Sequence, residues 1–304
     1  MVDVGQPTLD QLRIFLAVHD EGSFNAAARR LRRAVSVISY GIAALETQLD
    51  ISLFDREGSR RPRLTPAGRS LLAAARAIID DTDDLIARAR SIHSGIETEV
   101  SIVLDVMVPL EPVSAIFHEF QQAYPLVDLQ LHVDALGAVA AHVAEGRAGL
   151  AIAGPVVLDR PDLERKEIGR VELVPVASPD HPLARMTNIT SGHARSYLQL
   201  VLTDRSSFTE GQEFSVLSSR TWRLADLGAK RQLLIGGSGW GNMPRHMIED
   251  DLATGRLAVL NLSEGRSVDY RLNALWRKDQ RPGPATTWLL HAFEKALAVD
   301  NSCE

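Results

Sequence analysis

Apolar residues recur at helical spacing through the first third of the chain. Leu9, Leu12, Phe15 and Leu16 predict a helix over 8–20, and the Thr8 hydroxyl is placed to accept an otherwise unpaired backbone N–H at its start. Glu21-Gly22 ends it and Ser23 is the next cap. Ala26, Ala27, Ala28 and Leu31 follow as a second helix whose small side chains let two backbones approach. Ile38, Ile42, Leu45 and Leu49 give a third helix one apolar face, while Ser36, Ser39, Tyr40, Ala43 and Thr47 lie on the other. Leu53-Phe54 returns to the core, a basic loop containing Gly and Pro covers 55–63, and Leu64-Thr65-Pro66 closes it. A long helix is predicted from Pro66, a residue favoured at a first helical position, to about Ile92. Along it Leu71, Ala75, Ile78, Thr82, Leu85, Ala89 and Ile92 repeat every 4 and 3 residues, a heptad seam; Asp80, Asp81, Asp83 and Asp84 fall off it. A seam of this kind is either a coiled-coil interface, with Leu71, Ala75, Ile78, Leu85 and Ile92 dimerising, or the face of a core helix.

Beyond Ser94-Gly95 the pattern changes to short β-branched runs alternating with helices. Strands are predicted over 100–104, 127–133, 150–153, 171–177, 198–203, 257–262 and 268–276, and helices over 109–124, 138–145, 229–234, 243–254 and 285–299. That alternation implies parallel sheets covered by helices. So long a stretch implies two α/β lobes, with ligands outside the carboxyl ends of the strands. The expected organisation is a first domain over 1–66, a linker helix over 67–95 and a two-lobed domain over 96–304. Lobe I takes about 96–165 and 266–304, and lobe II about 166–265.

Composition narrows the function. The 304 residues are 45% hydrophobic and 24% charged, close to the average for soluble domains. No apolar run approaches the ~18 residues of a membrane span. The segment Met1 to Pro7 carries Asp3 and has no apolar stretch, so no secretory signal is expected. One cysteine, Cys303, forms no internal disulfide and no Cys-rich metal site, which makes the cytoplasm the expected compartment. The net charge of −6 argues against a general nucleic-acid coat, yet Arg29 to Pro66 holds eight Arg against four acids. Such a cluster is either a solvated face or a phosphate-binding one. Two short helices, a tight turn and a basic loop fit a winged helix-turn-helix, with a three-helix structural bundle as the alternative. In the first case the later helix of the pair enters the major groove and arginines neutralise phosphates. Arg32, Arg33, Arg60, Arg61 and Arg63 are then the phosphate contacts, and Ser36, Ser39, Tyr40 and Ala43 the base-reading positions. A two-fold dimer suits such a reader of paired half-sites.

Catalysis finds no constellation. Gly237-Ser-Gly-Trp-Gly241 lacks a clear preceding strand and a helix opening on its last glycine, so it reads as a hinge or pocket wall rather than a dinucleotide site. His118, His132 and His142 are not at metal-ligand spacing, and no G-x-S-x-G stands at a strand–helix turn. No enzyme activity, metal or cofactor is expected.

The segment Phe15-Leu-Ala-Val-His-Asp-Glu-Gly-Ser-Phe-Asn-Ala-Ala-Ala-Arg-Arg-Leu31 resembles the start of the LysR-type transcriptional regulators. So do Ser39, Ile42, Leu45-Glu46, Leu49, Leu53-Phe54-x-Arg56 and Leu64-Thr65-Pro66-Ala67-Gly68. Looser likeness continues through Phe120-x-x-x-Tyr124-Pro125, Glu145-Gly146-x-x-x-Leu150-Ala151-Ile152, Gly237-x-Gly239, Pro244 and Gly255-Arg256-Leu257. The resemblance implies an α+β chain: a winged helix-turn-helix, a coiled-coil linker helix, and a two-lobed α/β effector domain resembling periplasmic binding proteins. It implies a homodimer, paired into a homotetramer, on promoter DNA with an interrupted palindrome, under control of a small organic effector. Control by oligomer state alone is the alternative. The chain departs from the family at Ala34-Val35-Ser36, where Ser-Gln-Pro is usual; valine cannot make the bidentate amide contact to adenine, and Ala34 caps poorly. Tyr40 replaces a long polar residue, Asp50 a glycine, and Gly149 an aspartate.

By the same resemblance four loops wall the effector cleft: after the first strand of the domain, at 135–138, at 203–208 and at 237–242. They supply Asp105, Met107, Leu136, Thr203, Arg205, Ser206, Ser207, Ser238 and Trp240. Asp105 either lines the pocket or caps a helix. With Asp105 and Leu136 where relatives often place hydroxyls, small dianions are disfavoured. Thr203, Ser206 and Ser207 are then expected to hold a polar head, against an apolar body.

Overall fold

In a computed structural model of the chain, residues 6–55, 61–155, 160–204, 206–209, 211–212, 214–263 and 268–298 are described. The chain falls into two compact units, Met1–Arg90 and Ser91–Glu304.

The first unit holds α1 (Leu9–Glu21), α2 (Phe24–Leu31), α3 (Val35–Leu49), a ribbon of β1 (Phe54–Asp55) and β2 (Arg63–Leu64), and most of α4 (Pro66–His93). Thr8 and Gln11 form a reciprocal cap: Thr8 Oγ1 accepts from the Gln11 N–H (3.3 Å) and Gln11 Oε1 accepts from the Thr8 N–H (2.7 Å). Ser23 caps α2 through the Ala26 N–H, whereas Ala34 gives α3 no side-chain cap. Phe15, Ile38, Leu45, Leu53 and Phe54 meet in one core, with Phe15 and Phe24 packed edge-on against Phe54. The motif residues of this unit have physical reasons. Buried Glu46 accepts the backbone N–H of Leu53 (2.7 Å) and Phe54 (3.2 Å), tying α3 to the ribbon. Thr65 Oγ1 donates to the Ser52 carbonyl (2.6 Å), and a Cβ at Gly68 would stand 2.3 Å from the Leu53 oxygen. Asp50 takes φ +53° at the end of α3, where glycine would be unstrained.

The second unit runs β3 (Glu99–Asp105), α5 (Leu110–Ala123), β4 (Asp128–Asp134), α6 (Gly137–Ala144), β5 (Leu150–Ala153), β6 (Leu163–Ala177), α7 (Ser191–Arg195), β7 (Gln199–Leu202), β8 (Thr221–Leu224), α8 (Leu227–Ile235), β9 (Trp240–Pro244), α9 (Arg245–Ala253), β10 (Ala258–Val259), β11 (Val268–Arg277) and α10 (Pro284–Leu297). The strands order as β4-β3-β5-β11-β6-β9-β7-β8, with β10 beside β6. Lobe I holds β4, β3 and β5; lobe II holds β9, β7 and β8. The long β6 and β11 cross from one to the other. The sheet is mixed rather than parallel throughout. β3 is parallel to β4 and β5, and β7 to β8 and β9, but β11 is antiparallel to β5 and β6, and β6 to β9. The chain returns through β11 to close lobe I, so its strand meets the others head to tail. The 237–241 run also differs from the hinge or pocket wall expected: Trp240 and Gly241 open β9. A Cβ at Gly239 or Gly241 would stand 2.5 Å from the Leu198 or Leu200 oxygen, so these glycines let β9 press against β7.

Candidate functional site

Two surfaces carry chemistry, one in each unit. In the first, α3 buries Ile38, Ile42 and Leu45 and leaves Ser36, Ser39, Tyr40 and Ala43 exposed together. Tyr40 is 76% exposed, and Val35 and Val37, not singled out from the sequence as contacts, are also exposed there. Arg32 ends α2 with φ +56° and is exposed, as are Arg63 on the ribbon and Arg61 before it. Arg33 pairs with Asp10 (2.6 Å) and Arg30 with Glu21 (3.3 Å), both exposed pairs of the kind worth roughly 0–1 kcal/mol and readily exchanged. Arg60 lies outside the described residues.

The predicted seam of α4 divides. Leu71 and Ala75 pack into the core of their own unit together with Ile79, so these two positions face the chain itself, because the three-helix core needs a fourth side. Ile78 and Leu85 face outward, Leu85 at 67% exposure. The Ile92 side chain lies outside the described residues.

In the second unit a cavity of about 260 Å³ opens between the lobes, beyond the carboxyl end of β3 and along β7. Met107, Leu136 and Tyr270 line it from lobe I, and Leu200, Lys230 and Asn242 from lobe II. Leu136 takes φ +51°, ψ −126° at the start of α6, a strained backbone for a side chain with a Cβ and a feature common at ligand clamps.

Asp105 is not on the cavity wall. It is 1% exposed, behind Tyr270, whose hydroxyl donates to it (2.7 Å), and it accepts the Met107 N–H (2.9 Å). Burial pushes its carboxyl from the ordinary 3.8 up to about 6, against the pull of these hydrogen bonds. Gly154 makes the arrangement possible: a Cβ there would lie 1.8 Å from the Tyr270 oxygen.

Thr203, Ser206 and Ser207 line a neighbouring cavity of about 600 Å³ that shares Leu136 with the first. Their polar atoms are mostly engaged. Ser206 donates to Asp204 (2.6 Å), Thr209 donates to the same carboxylate, and Thr203 donates to the Asp204 carbonyl (3.3 Å). Asp204 in turn accepts the Ala138 N–H (2.7 Å) at the start of α6, which joins lobe II to lobe I. Gly137 lets that loop come close, since a Cβ there would stand 2.7 Å from Thr209 and 2.8 Å from Ser206. Of the three, Ser206 is thus tied through Asp204 into a latch between lobes. Trp240, expected on the cavity wall, is not there either. It is fully buried and its Nε1–H donates to Ser218 Oγ (3.2 Å), because β9 inserts it into a core with Leu183, Ile189 and Leu260. Ser238 sits on the turn before β9, outside the residues lining either cavity. Arg205 lies outside the described residues. The His132 and His142 rings lie tilted with centroids 5.0 Å apart, and among the described residues no three His, Cys, Asp or Glu could hold a metal.

Lys230 is the residue the sequence reading missed. It stands on the buried face of α8 between Leu227 and Leu234, at 3% exposure, and its ammonium donates to the Asn242 carbonyl (2.7 Å). Burial lowers its pKa to about 8. A lysine inside the apolar stripe Leu227-x-x-Lys-x-x-x-Leu234 was the signal available for it.

An exposed helix face beside arginines and a ribbon, and a two-lobed α/β unit with a cavity between its lobes, define a helix-turn-helix regulator with a ligand-binding domain. Residues 9–69 match the model for the bacterial regulatory helix-turn-helix protein, lysR family, and residues 93–298 the LysR substrate binding domain. The chain is 30% identical over 293 residues to the HTH-type transcriptional regulator YhaJ of Escherichia coli, covering 95% of this chain and 96% of that one. It is 26% identical over 299 residues to the HTH-type transcriptional regulator AceR of Acinetobacter baumannii, covering 92% and 94%. In fold it is similar to OxyR of Corynebacterium glutamicum (TM-score 0.52, 21% identity, 96% and 95% covered) and to full-length BenM (TM-score 0.51, 20%, 95% and 96%). The chain belongs to the LysR family of DNA-binding transcriptional regulators, a family of regulators rather than enzymes.

Proposed function

We propose that this chain is an effector-responsive regulator that binds promoter DNA in the cytoplasm as a homodimer, paired into a homotetramer. The cavity between the lobes carries the reading. A molecule in it touches Met107 and Tyr270 on one side and Leu200 and Asn242 on the other, so its binding energy depends on how the lobes sit. The residues around Lys230 and Leu136 therefore hold the effector, with the Asp204 latch as the element it biases.

On the DNA side, Arg32, Arg33, Arg61 and Arg63 neutralise phosphates while Ser36, Ser39, Tyr40 and Ala43 face base edges. Val35 and Val37, exposed on the same helix, suit thymine methyl groups. Exposed Ile78 and Leu85 supply the dimer seam, supported by an apolar cavity of about 340 Å³ that Ile78 shares with Leu9 and Leu12.

Gel shift on the intergenic DNA upstream of the gene, with and without a metabolite panel, tests this. Retarded DNA whose affinity changes with one compound is the expected result. Retardation indifferent to every compound while varying with protein concentration would replace it with control by oligomer state. Absence of any DNA complex would refute both.

A further inference from the structure

Among the described residues four Asp, Glu, Lys or Arg side chains are buried, and three of them are matched. Glu46 holds two backbone N–H groups, Asp251 pairs with Arg231 (2.5 Å) and Arg256 (2.7 Å), and Asp105 holds Tyr270. The fourth, Lys230, has only the Asn242 carbonyl, and no described carboxylate lies within ion-pair distance. An ammonium has three donors and a full charge, so one neutral acceptor leaves most of it unanswered. The chain goes to some length to keep it there: Gly241 leaves room for its stem, since a Cβ at that position would stand 3.2 Å from Lys230 Cε. Around it the cavity is apolar, with Met107, Leu136, Leu173 and Leu200. Two other polar side chains of the lining, Gln199 and Tyr270, are committed elsewhere. Gln199 donates to the Ser215 carbonyl and accepts from Leu217 and Ser218, and the Tyr270 hydroxyl is turned to Asp105. Asp269, at the exposed rim, lies 3.7 Å from Arg170.

We propose that Lys230 is the anion-binding group of the effector cavity and that the effector is a small monocarboxylate with an apolar body. The carboxylate lies against the Lys230 ammonium, and the body fills the space between Met107, Leu136 and Leu200. One cation answers one carboxylate. A second carboxylate would find no second cation in the lining, only mainly apolar side chains and the like charge of Asp269, so dicarboxylates bind less well. At about 260 Å³ the cavity lies just below the roughly 300–1,000 Å³ of drug-sized sites, which fits a metabolite of one ring or a short branched chain. This inference rests on the effector reading above and adds the chemistry of the head group.

The test uses the full-length protein, calorimetry and thermal shift. The probes are aromatic and short branched-chain monocarboxylates, their neutral amides, and the matching dicarboxylates. The best monocarboxylate is expected to bind at least tenfold more tightly than its amide and its dicarboxylate. In Lys230→Met, whose buried charge is replaced by an apolar side chain of similar length, that preference is lost while the protein stays folded. Wild-type binding near pH 8 is also expected to take up a fraction of a proton, because an anion restores the ammonium; Lys230→Met takes up none. Acid and amide binding alike, with Lys230→Met changing neither, would overturn the assignment of Lys230 and leave the effector cavity standing. No binding by any probe to a protein whose DNA affinity also ignores them would overturn both.

Discussion

Replacing Asp105 with asparagine separates the cost of a buried charge from the hydrogen bonds that hold it. Asparagine keeps an acceptor for the Met107 N–H, and its amide can donate to the Tyr270 oxygen. In the wild type the carboxyl titrates near 6 folded against 3.8 ordinarily. The folded state therefore holds its proton more tightly. The resulting stability is fully present below pH 3.8 and is lost as pH rises through 6. The rise from 3.8 to about 6 corresponds to about 3 kcal/mol in all, of which about 2 kcal/mol falls between pH 4.5 and 7.5. Asp105→Asn has no such proton, so the difference in stability between variant and wild type should move in the variant's favour by about that amount over this range. Taking the difference cancels the other titrating groups. Trp222, Trp240, Trp276 and Trp288 all lie in the second unit, so tryptophan fluorescence during urea unfolding reports on the unit that contains Asp105. Protein concentration is held fixed, since an oligomer's apparent stability depends on it. Wild-type and Asp105→Asn curves that stay parallel from pH 4.5 to 7.5 would refute the reasoning, because the carboxyl would then titrate alike folded and unfolded.

Leu85→Arg places a charge at an exposed seam position of α4; sedimentation is expected to show monomers and gel shift a loss of high-affinity binding, and an intact oligomer would remove α4 from the interface. Arg63→Ala is expected to weaken binding to specific and unrelated DNA alike and to lower the slope of log affinity against log salt by ~1; an unchanged slope would take Arg63 off the phosphates. Gly154→Ala sets a methyl where the Tyr270 hydroxyl now lies, and is expected to cost ~1–3 kcal/mol in unfolding experiments, as overpacked sites do. Unaltered stability would mean that Tyr270 moves aside freely and Asp105 does not depend on it.

The sequence by itself determined the elements whose pattern is local. The Thr8 and Ser23 caps, the apolar face of α3 and the length of α4 all follow from residues within a few turns of each other. So do the family motifs, because Glu46, Thr65 and Gly68 act on the ribbon next to them. What only the tertiary structure decided depends on partners distant in the chain. The first half of β6, Leu-Glu-Arg-Lys-Glu, has no apolar alternation and becomes a strand because β11 pairs with it about a hundred residues later. Gly237 to Gly241 read as a loop because glycine carries no hydrophobic signal, yet missing Cβ atoms are what let β9 lie against β7. Periodicity gave Leu71 and Ala75 the same standing as Leu85, and only the packed core turned them inward. Resemblance places Trp240 at the cavity and leaves Asp105 either there or capping a helix. Tyr270 and Ser218, 165 and 22 residues away, turn them into buried partners instead. Lys230 gained its significance the same way: a helix pattern marks it as out of place, but the folded lobes alone put an empty apolar space beside its charge.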